Sequence, residues 1–282
     1  MQLDSTRIAI RERLYFDILD LGLRVVQRHA LPLAAAAIVG IVPMAVLDYW
    51  LLSALGYHES GFDVFSMIPL LAVLVAWQIP LATAPITLSL GQLMFAPQVD
   101  WRRLARDLAG SLPQLLWFQV FVRGAALVPV VSGIMLYAGW PYLNEVILLE
   151  RNPLLASRAA GRPTTWRRSW ALHTAESGIL LGRWILALVV GLPLTLAIWG
   201  TTAYLWSMLT EQSVVNTWFE QPALATSELV SLHLAVWLLV AWFAVVRFLS
   251  YLDLRIRNEG WEIELRMRAE RARLTRNWAQ AG

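Results

Sequence analysis

Apolar residues in this chain gather into runs that are too long for a soluble core, at 29–56, 64–96, 112–150, 178–208 and 229–252. A helix needs roughly 20 residues to cross the hydrocarbon of a bilayer, and every one of these runs meets or exceeds that length. Their continuity excludes a β-barrel, whose strands alternate between apolar and polar positions. The pattern predicts an all-α integral membrane helical bundle. Two flanking segments show another pattern. In 6–28, Ile8, Leu14, Ile18, Leu21 and Val25 fall on one helical stripe, with Arg7, Arg11, Arg24 and Arg28 elsewhere, as expected of a helix lying on the inner leaflet. In 261–277, Glu262–Arg266 and Glu264–Arg268 have the i,i+4 spacing of a solvated or interfacial helix.

Charge turns these runs into a topology. All 23 basic residues are arginine, and 20 of them cluster at the N-terminus, in 97–111, in 151–168 and in 255–276, whereas 55–63 and 207–228 contain none. Cytoplasmic loops retain positive charge because such segments resist translocation. Reading 112–150 as one span would export twelve arginines, so we read two spans there, about 112–128 and 131–149, turning near Pro129. The apolar turn also fits a re-entrant hairpin. The expectation is six transmembrane spans with both termini cytoplasmic. It divides the chain into an amphipathic segment (1–28), a membrane domain (29–252) and a cytoplasmic helix (253–282). Trp50, Trp101, Trp140, Trp166, Trp170, Trp206 and Trp218 lie near the span ends, where indole rings favour the headgroup region. The N-terminal 28 residues lack the compact apolar stretch of a cleavable signal peptide. The expected location is the bacterial cytoplasmic (inner) membrane.

Composition narrows the chemistry. The formal net charge is +3, but the arginines flank spans instead of forming a basic domain. Anionic lipids of the inner leaflet are therefore the expected partners and nucleic acid is not. There is no cysteine, so thiolate metal sites and Cys nucleophiles are absent. His29, His58, His173 and His233 are scattered without metal spacing, and no nucleophile elbow, phosphate loop or dinucleotide fingerprint occurs. No catalytic, cofactor or metal site is expected, and the protein is expected not to be an enzyme.

Residues inside the spans supply one set of candidates. Arg123 falls deep in the third span, where an arginine costs about 2.5–3.5 kcal/mol and usually faces a bundle interior. Glu145 on the fourth is a candidate partner, although the two differ in depth by about 9 Å, at 1.5 Å per residue, which disfavours a direct bridge. Gln78, Thr83 and Thr87 lie on the second span, and Pro80, Thr83, Thr87 and Gly91 share a face, as in the broken polar helices of transporters. Thr and Gly faces also serve helix packing, a role expected of Gly178 and Gly182 as well. Asp48, near the outer end of the first span, reads as a residue wetted by the headgroups.

Two stretches on the predicted cytoplasmic side carry a resemblance. In NEVILLERNPLLASRAAGRPTTWRRSWAL (144–172), Glu150, Arg168, Ser169, Trp170 and Leu172 resemble the acid-then-RSW-L pattern of the six-span membrane domain of the glycerophosphoryl diester phosphodiesterase type and of related uncharacterised bacterial polytopic proteins. In YLDLRIRNEGWEIELRMRAE (251–270), Asp253, Arg255, Arg257, Glu259, Gly260, Trp261 and Glu264 resemble the C-terminal ending of such proteins. The resemblance implies a membrane domain only, since the soluble phosphodiesterase part is absent. These residues form a candidate docking motif. The leading expectation is a non-enzymatic scaffold or assembly component that docks a cytoplasmic or membrane protein partner. The alternative is a transporter or lipid-handling protein using the polar site on the second span and Arg123.

Overall fold

In a computed structural model, residues 14–54, 64–119, 141–154, 163–174, 176–210 and 226–259 are described. They form eight helices and, among the described residues, no strand. These are α1 (Tyr15–Arg28), α2 (Ala30–Ala54), α3 (Val64–Leu93), α4 (Trp101–Leu116), α5 (Leu143–Glu145), α6 (Thr165–Thr174), α7 (Ser177–Thr210) and α8 (Thr226–Glu259). The three residues of α5 run directly into a π-helical turn, Val146–Glu150. Four segments, Ala30–Leu52, Pro69–Leu93, Ser177–Leu209 and Val230–Asn258, are long and apolar enough to cross a membrane.

Where these helices show large side chains to the outside, the side chains are apolar. On α2 these include Leu31, Ile38, Val42 and Val46, and on α7 Ile185, Val189, Leu192 and Leu196. An uninterrupted apolar exterior is unfavourable in water and favourable in hydrocarbon, which makes the bilayer the solvent of this fold.

Two apolar cores mark the ends of the bundle. One joins Leu33 and Ala36 early in α2, Leu90 and Met94 at the end of α3, and Val245 to Leu249 late in α8. The other joins Leu52 at the end of α2, Leu71 and Val75 early in α3, and Leu232 and Trp237 early in α8. Helices α2 and α3 are thus antiparallel, and α8 runs alongside both. Helices α2 and α3 approach closely at Gly40, where an added Cβ would lie 2.0 Å from the carbonyl oxygen of Ala82. Gly191 of α7 similarly faces Phe243 of α8, with an added Cβ 3.1 Å from its ring. Gly178 and Gly182, expected to pack α7, meet nothing within 4 Å among the described residues.

The expected amphipathic segment ends as α1. Its Ile18, Leu19 and Gly22 are buried, and Gly22 lies against Val246 of α8, so α1 packs on the bundle. Leu14, predicted on the same stripe, is 75% exposed. Three boundaries differ from expectation. Helix α3 is unbroken through Pro69, Pro80 and Pro85, although its sequence predicts an interruption at Pro80 and Pro85. The expected arginine loop and the start of the third span are one amphipathic helix, α4, capped by the Asp100 side chain accepting from the Arg103 N–H at 3.1 Å. Polar Arg102, Arg103 and Arg106 and apolar Leu104, Leu108 and Leu115 alternate at helical spacing, so one face buries while the other stays polar. Finally, α8 continues through position 252 to Glu259, because Leu254 and Ile256 are still buried there.

A candidate intramembrane polar seam

Polar side chains enter the bundle at three levels along α3 and α8. At the end away from the arginines, Asp48 is fully buried; its Oδ1 accepts from Gln78 Nε2 at 2.5 Å and its Oδ2 lies 3.1 Å from His233 Nε2. At the middle level, Arg247 Nε donates to Glu145 Oε1 at 2.7 Å, and its Nη2 donates to Thr83 Oγ1 at 2.8 Å. The Thr83 hydroxyl in turn donates to the Ile79 carbonyl at 2.7 Å, the usual way a helix absorbs a threonine. Beside this cluster, Asn144 donates to the Pro80 carbonyl at 2.9 Å and accepts from Gln119 at 2.9 Å. The face of Pro80, Thr83, Thr87 and Gly91 therefore receives residues 144–149, since Gly91 also abuts Leu149.

Glu145 is 0% exposed and Arg247 17%. Removing two charges from water is costly, and their mutual attraction repays it only when further hydrogen bonds complete the geometry. Here the completion is partial. Arg247 bridges to Thr83, but Glu145 Oε2, Thr87 Oγ1 and Gln78 Oε1 are buried with no hydrogen-bond partner. Orphaned buried polar atoms cost about 1–3 kcal/mol each, and native folds keep few of them. Two of them, Glu145 Oε2 and Thr87 Oγ1, lie on or against the face of Pro80, Thr83, Thr87 and Gly91 and mark it as a place prepared for polar contacts, whereas Gln78 lies half a turn round α3, towards Asp48.

At the arginine-rich end the two resembling stretches meet. Arg168 grips Glu150 with Nε and Nη2, at 2.6 and 2.9 Å, the planar fork that suits arginine to a carboxylate. Tyr251 donates to Glu150 Oε1 at 2.7 Å, Asn152 donates to its Oε2 at 3.0 Å, and Arg255 approaches to 3.8 Å. Asp253 takes Arg183 of α7 and, at 3.0 Å, Arg257 one turn on. Arg183 also donates to the Ser250 carbonyl at 3.2 Å. Ser169 is fully buried, and its carbonyl lies 2.7 Å from His173 Nδ1, while His173 Nε2 accepts from the Tyr142 N–H at 3.1 Å. The docking candidates Glu150, Arg168, Ser169 and Asp253 are thus turned inward, joining α5, α6, α7 and α8. Among the described members of the motif, Trp170 is exposed, at 54%.

Burial pushes the Glu150 carboxyl up, but the hydrogen bonds from Arg168 and Tyr251 and the charges of Arg168 and Arg255 outweigh it, so the carboxyl sits below its ordinary value of 4.5. A depressed carboxylate stabilises the fold above its unfolded value, and that contribution is lost as pH falls through the folded value. Thermal melts in detergent should therefore show the wild type above Glu150→Gln at neutral pH, with the gap closing on acidification below the ordinary carboxylate range. A gap independent of pH would contradict this account.

Arg123, Gly260, Trp261 and Glu264 lie outside the described residues, as does the side chain of Glu259, the last residue of α8. Glu145, a candidate partner of Arg123 by sequence with depths that disfavour a direct bridge, is paired with Arg247. The sequence reading also passed over the pairing of Asp48 with His233. The signals were present in both cases: an arginine five residues inside the predicted end of the sixth span, and an acid and a histidine at matching depth on the first and sixth. Among the described residues no group of three or more His, Asp or Glu is arranged to hold a metal.

The fold and seam define an all-helical membrane protein with ion pairs inside the bundle. No protein family, curated protein or solved structure matches the chain.

Proposed function

We propose that this protein is a non-enzymatic transporter or lipid-handling membrane protein that takes a polar group into the seam between α3, α5 and α8. The carrying observation is the buried Thr83–Arg247–Glu145 cluster with Glu145 Oε2 and Thr87 Oγ1 left without partners. Ionisable residues inside membrane spans are expensive and usually mark a pathway or binding site. The cluster is neutral overall, and its open carboxylate oxygen accepts hydrogen bonds. The matching occupant therefore carries donors, as an amine- or hydroxyl-bearing solute or lipid headgroup does.

The scaffold reading keeps one supporting observation. Trp101, Trp166 and Trp170 are exposed at the arginine-rich end beside exposed Arg102, Arg103 and Arg167. These residues suit an anionic leaflet as well as a partner protein. The docking motif supports it less, because its central members are occupied within the fold.

In this reading the chain has six spans in a bacterial inner membrane, with both termini cytoplasmic. Support comes from the gathering of Arg151, Arg168, Arg183, Arg255 and Arg257 at one end of the bundle through their pairs with Asp107, Glu150 and Asp253. The test is affinity purification from native membranes of the full chain and of a chain ending at Glu259, which spares Asp253 and its partners, with mass spectrometry of lipids, solutes and proteins. Retention of one donor-bearing lipid or solute by both chains is expected. A stoichiometric protein partner lost on truncation, with no such ligand in either, would favour the scaffold instead. Labelling of Ser157→Cys from outside would overturn the orientation.

A further inference from the structure

The Asp48 level of the seam stands about 21 Å along α8 from Arg247, at 1.5 Å per residue over fourteen residues, and Arg247 is already paired with Glu145, so the arginine does not neutralise it. Its surroundings are apolar: Leu52 follows Asp48 by one turn, Val75 precedes Gln78, Leu232 adjoins His233 and Trp237 follows it by one turn, all within one buried cluster. Asp48 is 0% exposed and His233 12%. With the carboxylate ionised and the imidazole neutral, one uncompensated negative charge would sit in this core, which is far costlier than any neutral arrangement. A single added proton removes the problem, either as an imidazolium–carboxylate pair or as a neutral carboxyl beside a neutral imidazole.

We propose that Asp48, Gln78 and His233 form a proton-binding site that holds one shared proton inside the bundle and exchanges it with the aqueous phase at the end away from the arginines. Gln78 serves both states. Its amide nitrogen donates to the ionised carboxylate at 2.5 Å. Its buried, unpartnered Oε1 is the acceptor that a protonated Asp48 would need after an amide turn. His233, the more exposed member, is the entry point. The proton binds as H+ from water, with no other bond made or broken.

Among the described side chains of the packed elements, no other charged group supplies this charge. Helix α3 has no Asp, Glu, Lys, Arg or His from 64 to 93. On α2, Tyr49 is the neighbouring titratable group and is 51% exposed. On α8, Glu228 lies five residues before His233 in the chain, and Arg247, Asp253, Arg255 and Arg257 lie towards the other end. On α7, which packs on α8, Arg183 is bound to Asp253 and Tyr204 is 59% exposed. The inference is independent of what the middle of the seam binds.

The test counts protons. The full chain in lipid nanodiscs is acidified from about pH 10 to pH 5, a range that begins well above the ordinary histidine value and ends above the ordinary aspartate value, so that a proton held tightly by the pair is released at the start and counted. Proton uptake is read with a soluble pH indicator. A shared site predicts that Asp48→Asn takes up one proton fewer per chain than the wild type, although the substituted residue is not one that titrates there alone. Equal uptake would show that His233 titrates without Asp48 and would overturn the proposal. If Asp48→Asn does not fold, Asp48→Leu with Gln78→Leu keeps His233, removes the carboxylate without leaving an orphaned amide, and gives the same readout.

Discussion

Arg247→Ala should lose most of its folded protein, because it leaves Glu145 buried at 0% exposure with neither Oε1 nor Oε2 partnered by a cation. Breaking a buried pair by removing one member costs about 3–5 kcal/mol, enough to unfold a marginally stable domain. The double variant Glu145→Met with Arg247→Met separates support from function. Replacing a buried ion pair by apolar residues of similar volume is often neutral or stabilising. The double variant should therefore recover the folded yield and melting temperature of the wild type, leaving Thr83 satisfied by the Ile79 carbonyl. Failure of the double variant to recover would mean that the seam braces the helices through more than its charges. Size-exclusion profiles and thermal melts in one detergent check both variants.

Gly40→Ala should be nearly as damaging by a different route. Its added methyl would meet the Ala82 carbonyl oxygen at 2.0 Å and the Pro85 ring at 3.1 Å, and a backbone oxygen cannot move aside as a side chain can. Overpacking a core commonly costs about 1–3 kcal/mol, and a collision with backbone belongs at the top of that range. Relieving it means separating α2 from α3, which also carries Asp48 away from Gln78. Gly182→Ala is the control: nothing lies within 4 Å of its position among the described residues, and alanine is the better helix former. A melting temperature for Gly40→Ala equal to that of Gly182→Ala would contradict the packing described.

The helices were legible in the sequence because their signal is length and polarity. The break between 28 and 29, the span beginning near 64 and the one beginning near 178 all fall within a residue or two of the observed ends. Prolines were read as breaks in α3, yet the helix continues because its neighbours hold it, with Asn144 taking the Pro80 carbonyl. The amphipathic pattern of α4 crosses the boundary drawn from charge, since charge reports translocation and says nothing of where a helix starts.

The site was legible residue by residue but not in its pairings. Gln78, Thr83, Thr87 and Glu145 all line the seam, and all were visible as polar residues in apolar runs. By sequence Arg123 is the arginine in the span neighbouring Glu145, at a depth that disfavours a direct bridge, whereas Arg247 is 102 positions away and is brought in by α8 packing on α3. The two resembling stretches converge on Glu150 and Asp253, and among the described residues the charges of Glu150, Arg168 and Asp253 fasten helices together instead of facing outward. Sequence shows which side chains are charged. Whether a charge is spent inside the fold or offered at its surface depends on tertiary contact.

The claim that the seam is a binding site is tested most directly by comparing what the wild type and the Glu145→Met, Arg247→Met double variant retain when both are purified folded and analysed by native mass spectrometry. The account predicts a stoichiometric amine- or hydroxyl-bearing lipid or solute on the wild type and its loss from the double variant. The same retained molecules on both, or none on either, would contradict it and leave the ion pair as a structural brace.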